Sequence, residues 1–365
     1  MKSFKELVND CPDILENFMF GNGFSQSFHK NFKYQSLYEN VKDDLTKEDI
    51  KLFDEVLNTT NFEMVLNSLL SADEIVKVFN LGDDVLKKSY QNIKNQLIKA
   101  VNKTHPSYDE VFLEKLSWSL NLFKRNIFTT NYDLLTYWGL LTINDSYKKS
   151  KYYRPISDGF FSSQQTGEII FKEENFEPNG LNFHYLHGAL HFYEENGDII
   201  KTTARNSNLL KRITEQFENG KFPLYVSEGS TKKKFTQIKS NYYLLTCLRR
   251  LIKISKGLTI FGQDLNPEYD GHLIRAVKEA EKLKYIAYGV YTTDKNNDKD
   301  IEHRIEKLFR GSTKTLLFFD SRTFFDSVKE IASEKLGIWG ITSFFPDTDK
   351  LCNFYTDILK PTPPY

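Results

Sequence analysis

Five short polar clusters carry most of the residues able to do chemistry, and each follows a brief apolar run. Phe18-Met19-Phe20 runs into Gly21-Asn22-Gly23-Phe24-Ser25, and Asn126-Ile127-Phe128 into Thr129-Thr130-Asn131-Tyr132-Asp133. Asn182-Phe183-His184-Tyr185-Leu186 runs into His187-Gly188, Leu258-Thr259-Ile260-Phe261 into Gly262-Gln263-Asp264, and Leu317-Phe318-Phe319 into Asp320-Ser321. Glycines at such points take positive φ and let backbone N–H groups approach a phosphate at a helix start. Ser25 adds a hydroxyl. Asn131 both donates and accepts, which suits a sugar hydroxyl or a water, and Asp133 brings a carboxylate to the same cleft. His187 stands where a strand gives way to a loop, a place suited to a base that titrates near neutral pH. Asp264 and Asp320 offer carboxylates for ribose contacts.

Each cluster also has a plainer reading. Gly21-Asn22-Gly23 is an ordinary tight turn, and Thr130, Asn131, Asp133, Asp264, Asn266 and Asp320 are all good N-caps. His184, His187 and His191 are three of the seven histidines and fall within eight residues. Their spacing suits a metal on a helix, but the alternation around them reads as strand, which sends His184 and His187 to opposite faces. Lys232-Lys233-Lys234 reads as the solvated start of a helix.

The elements that must position these clusters follow from periodicity. Phe62, Val65, Leu66, Leu69 and Leu70 fall at helical spacing, and the pattern returns over 85–101 and 111–122, so 45–122 is expected to be a helical insertion. The stretch 145–180 is polar and reads as irregular. Ala189 to Thr202 reads as a hairpin turning at Asn196-Gly197-Asp198, and 145–235 as a whole is expected to be an irregular and hairpin insertion. Helices are expected near 207–218 and 232–254. Helix 268–282, strand Tyr285–Val290, helix 300–310, strand Thr315–Phe319 and helix 321–335 then alternate. Such alternation implies an α/β fold with a doubly wound parallel sheet, here a Rossmann-like single domain over 1–365. Ligands of such sheets bind beyond the carboxyl ends of the strands, near the point where strand order reverses. Every cluster above sits just after an expected strand.

Composition narrows the classes. The chain has 365 residues, 40% of them hydrophobic, with 49 basic and 49 acidic side chains. No global field draws it to nucleic acid or to an anionic membrane. The three cysteines, Cys11, Cys247 and Cys352, are too few and too scattered for a disulfide framework or a four-cysteine zinc site. No secretory h-region and no stretch of membrane-spanning length appear, and the expected setting is the cytoplasm.

In their order, Gly21-Asn22-Gly23-Phe24-Ser25, Thr129-Thr130-Asn131-Tyr132-Asp133, Leu186-His187-Gly188 and Phe261-Gly262-Gln263 together resemble the motifs of the sirtuin family. The resemblance implies an NAD site in which the glycine loop holds pyrophosphate, Asn131 positions the nicotinamide ribose and a water, His187 is the catalytic base that takes a proton from that water or from a ribose hydroxyl, and Asp133 orients the carboxamide or polarises its neighbour. Sirtuin deacylases carry Ile-Pro-Asp-Phe-Arg after the serine, where this chain has Gln26-Ser27-Phe28-His29-Lys30, and Gln before the Asn, where it has Thr130. Their zinc module is missing too. With the peptide-handling parts lost and the NAD-holding parts kept, the chain looks like the bacterial sirtuin-like NADases of anti-phage defence. That implies cleavage of NAD to nicotinamide and ADP-ribose with no metal. It also implies a homo-oligomer, with a defence-system ATPase or nuclease as a further partner. A constitutive NADase would poison its host, so 45–122 and 145–180 are the candidate gates. Two rivals stand beside this reading: a catalytically silent NAD or ADP-ribose sensor, and a scaffold whose motifs are only caps and turns.

Overall fold

In the computed structural model the described residues are 1–332, apart from 33–37, 40, 59–61, 82–83, 107, 112, 148–154, 165–166, 205–207, 219–220, 222, 227–229 and 292–297. Cys352 and the end of the helix expected over 321–335 lie outside them.

The strands run in chain order β1 Asn17–Phe20, β2 Asn126–Thr129, β3 Ile156–Ser157, β4 Phe160–Ser162, β5 Ile169–Phe171 and β6 Leu181–Tyr185. There follow β7 Gly188–Glu195, β8 Asp198–Lys201, β9 Pro223–Tyr225, β10 Lys256–Phe261, β11 Leu283–Val290 and β12 Thr315–Asp320. Seven form one sheet in the order β12-β11-β10-β1-β2-β6-β3, and every neighbouring pair is parallel. All four residues of β1 and all five of β6 are buried. Side chains alternate between faces along a strand, so both faces of the sheet are covered, as a parallel sheet requires. The fold is α/β and Rossmann-like, as the alternation of strand and helix implies.

Strand order reverses between β1 and β10. The chain passes from β1 to β2 on one side, while β10, β11 and β12 step away on the other. The loops after β1 and β10 therefore meet at the switch point.

The helices are α1 Phe4–Asp10, α2 Asn22–Gln26, α3 Lys47–Lys51, α4 Phe62–Val78, α5 Val85–Thr104, α6 Leu113–Asn121 and α7 Leu135–Tyr147. After them come α8 Asn208–Glu218, α9 Thr231–Ser240, α10 Tyr242–Ile252, α11 Pro267–Glu279 and α12 Asp298–Phe309. The single helix expected over 232–254 is two. Asn241 takes an extended conformation and its Oδ1 accepts from the Leu244 N–H at 3.2 Å, capping α10 and ending α9.

Residues 156–225 hold more strand than their polar composition suggests. A second sheet, β4-β5-β8-β7-β9, is antiparallel. The expected hairpin is β7 to β8, and Asn196 and Gly197 both take positive φ, 54° and 85°, as a two-residue type I′ turn demands. No described helix is long and apolar enough to cross a membrane.

Candidate active site

The loops after β1, β2, β6 and β10 line one cavity of about 360 Å3. Asn22, Gly23, Thr130, Asn131, Asp133, His187, Gly262 and Asp264 contribute to its wall, so the sequence clusters converge. Gly21 and Ser25 stand just behind that wall. Asp320 is elsewhere: its carboxylate accepts from the Arg322 N–H and pairs with the Arg322 guanidinium, the N-cap role open to it from sequence.

Glycine is required where the first and fourth loops touch. A Cβ on Gly23 would sit 2.7 Å from Gly262 Cα, and one on Gly262, whose φ is +62°, would sit 2.6 Å from the Phe24 nitrogen. The Gly21 and Gly23 N–H groups donate to the carbonyls of Phe261 and Gly262, at 3.2 and 2.9 Å. In this structure the glycine turn docks onto the loop after β10. Thr130 Oγ1 donates to Gln263 Oε1 at 2.8 Å, and Gln263 Nε2 donates to Asp270 Oδ2 at 2.9 Å, extending the link from β2 to α11.

A second chain of hydrogen bonds runs through the site. Asn131 Nδ2 donates to the Gly21 carbonyl at 3.0 Å and to Ser25 Oγ at 2.7 Å, and Ser25 Oγ donates to Asp133 Oδ2 at 2.5 Å. The Leu135 N–H gives Asp133 Oδ1 another bond at 2.9 Å. Burial pushes the Asp133 carboxyl up to about 6, against the Ser25 and Leu135 donors, which favour the charged form. Asn131 Oδ1 is left without a partner among the described residues, an acceptor on the cavity wall.

His187 occupies the two-residue step between β6 and β7, where the chain leaves one sheet for the other. Gly188, at φ +78°, permits that step. Its neighbours pin the backbone: the Leu186 N–H donates to the Thr129 carbonyl at 2.8 Å, and the Val226 N–H to the His187 carbonyl at 2.7 Å. The ring is buried, and its Nε2 stands 2.9 Å from Nε2 of His272 on α11. Burial first, then the Lys234 ammonium, holds His187 well below the usual imidazole range. The same two causes push His272 down to about 3.

His184 is on β6, stacked on Phe128 with its Nε2 3.1 Å from Asn126 Oδ1. No group of three potential metal-binding side chains occurs among the described residues.

Three contributors escaped the sequence reading. Lys234 is 1% exposed and lines the cavity, which corrects the view of the lysine run as wholly solvated: α9 turns Lys232 outward and Lys234 inward. The signal was its place four residues before buried Ile238. His272 likewise shares a helical face with Ala276 on α11. His105, just after α5, accepts the Leu134 N–H at Nε2, 2.8 Å away, and so ties the helical stretch to the Asp133 loop.

A parallel sheet with a cavity lined by polar loops at its switch point defines a Rossmann-like α/β protein with a candidate site there. The chain belongs to the family described as Domain of unknown function (DUF4917), whose model matches residues 18–325. Comparison with the curated proteins gives no match. Among solved structures, one reported under "Structural Basis for the Mechanism and Regulation of Sir2 Enzymes" is similar at 9% identity and a TM-score of 0.37, over 91% of this chain and 99% of that one.

Proposed function

We propose that the protein hydrolyses NAD at the nicotinamide–ribose bond, releasing nicotinamide and ADP-ribose. The observation that supports this reading is the convergence of Asn131, Asp133 and His187, from the loops after β2 and β6, on one cavity at the switch point. The cavity's size falls in the range of roughly 300–1,000 Å3 usual for small-molecule sites.

Nicotinamide in NAD is a cationic leaving group, so cleavage passes through an oxocarbenium-like ribose, and the enzyme supplies geometry and electrostatics. Asn131 is held by Gly21 and Ser25 with its carbonyl oxygen free for a ribose hydroxyl or a water. Asp133 and His187 are the two titratable groups of the sequence triad on that wall, and one of them takes the proton of the attacking water. The same reading gives the protein a place in anti-phage defence, acting as a homo-oligomer beside an ATPase or nuclease, because NAD cleavage in a living cell has to be gated.

Incubation of the purified protein with NAD, alone and with phage-infected lysate as trigger, and chromatography of released nicotinamide tests the reading. Asn131→Ala and His187→Ala are each expected to lose most turnover with the fold intact. A wild type that binds NAD without releasing nicotinamide, or two active variants, would overturn it.

A further inference from the structure

His272 lies behind His187, outside the cavity wall, and is 4% exposed. Its Nε2 shares the 2.9 Å contact with His187 Nε2, and its Nδ1 is buried with no hydrogen-bond partner among the described residues. Burial and the nearby Lys234 ammonium oppose a positive charge on either ring, so both are neutral, and one donates while the other accepts. Two arrangements exist. If His187 donates, His272 must carry its own proton on Nδ1, as a buried N–H that has lost its water and found no acceptor. If His272 donates, its Nδ1 is a bare lone pair, and buried acceptors left bare are commoner than buried N–H groups left unpaired.

We infer that His272 is a positioning residue: it donates its Nε2–H to His187 and so fixes the proton of His187 on Nδ1, the nitrogen left for the cavity. His187 then meets a ligand as a hydrogen-bond donor to an acceptor oxygen, and its lone pair is engaged behind the wall. The consequence for chemistry rests on the NAD reading. With His187 a donor, Asp133 takes the proton. The water O–H bond breaks toward the Asp133 carboxylate, the water oxygen bonds ribose C1′, and the electron pair of the C1′–nitrogen bond leaves with neutral nicotinamide.

The tautomers are measured directly by 15N NMR of histidine-labelled protein without any ligand, with His187→Asn and His272→Gln used for assignment. The proton is expected on Nδ1 of His187 and on Nε2 of His272. His272→Gln, whose amide still donates, keeps the His187 tautomer, and His272→Leu releases it to a mixture. A proton on Nε2 of His187 in the wild type overturns the inference. Kinetics supply the second readout. His187→Asn, which donates but is no base, is expected to exceed His187→Ala by about tenfold in kcat, the worth of one hydrogen bond near 1.4 kcal/mol. Asp133→Asn is expected to lose roughly 100-fold or more, as for a general base. Equal loss in His187→Asn and His187→Ala counts against the donor role. A protein silent toward NAD sinks the functional reading and leaves the tautomer measurement to decide this one.

Discussion

The Ser25 hydroxyl reaches from α2, just after β1, to donate to Asp133 beyond β2, at 2.5 Å, while it accepts from Asn131 at 2.7 Å. One small side chain thus joins two strand-end loops that are 108 residues apart in sequence. Asp133 is held in place by that bond, yet its burial works against its charge.

The balance predicts a pH dependence of stability. The Asp133 carboxyl is raised from 3.8 to about 6 on folding, so it binds its proton more tightly in the folded state. The stability it contributes is fully present below about pH 4 and is lost as pH rises through 6, a change of about 3 kcal/mol by pH 7. Urea unfolding of wild type and Asp133→Asn between pH 4 and 7.5 reads this out. The wild type should lose ground to the variant across that window, and a difference that stays flat with pH would rule the effect out.

The contact between the first and fourth loops predicts what glycine replacement does. Gly262→Ala meets the Gly23 and Phe24 backbone and forces a positive φ on alanine, whereas Gly311→Ala, also at positive φ, meets nothing within 4 Å. Gly311→Ala is expected to cost about 1 kcal/mol from backbone strain alone. Gly262→Ala should cost more and also weaken ADP-ribose binding, because the loops must part. Thermal unfolding with calorimetric titration separates the two, and equal effects from both variants would refute the packing argument.

Much of this site was legible because parallel strands buried on both faces read as short apolar runs and leave their chemistry to the loops that follow. The runs ending at Phe20, Phe128 and Phe261 do become β1, β2 and β10, β2 extending one residue further to Thr129, and their ends meet at the cavity. What sequence did not reveal was tertiary. Lys234 looks like one member of a solvated run until α9 is packed, and His272 falls outside every cluster, eight residues after Asp264, on a helix that backs the site. The sheet from β4 to β9 was hard to see because strands of three residues, such as β4, β5 and β9, are too short to display alternation.

Lys234 carries a prediction of its own. Lys234, 1% exposed, is part of the cavity wall, and its field bears on His187, His272 and Asp270. Lys234→Met is expected to weaken ADP-ribose binding by about tenfold or more, the loss of one charge-assisted hydrogen bond to a phosphate, with Lys234→Arg recovering part of it. Titration calorimetry at two salt concentrations checks this. Unchanged affinity in Lys234→Met would mean the ammonium serves only its protein neighbours.

The helical stretch between β1 and β2 ends one of its hairpins in an apolar tip. Ile75, Val78, Phe79, Leu81 and Val85 are all more than half exposed, with Val78 at 77%. Single exposed apolar side chains are ordinary, but five on one hairpin form a patch of the kind that marks an interface. On the homo-oligomer proposal this tip packs against another copy, and burying three such side chains would be worth roughly 1.5–3 kcal/mol each. The tip is also connected to the cavity. Glu74, one turn before Val78, lies 3.4 Å from Lys233, the residue next to Lys234 on α9. Replacing Val78, Phe79 and Leu81 together by serine should therefore lower the assembled mass in light scattering and change the rate of nicotinamide release at the same protein concentration. The triple variant should keep the wild-type helical signal, because none of the three side chains is buried. A wild type that is monomeric across the whole concentration series, or a triple variant of unchanged mass, would show that the tip serves something other than self-assembly.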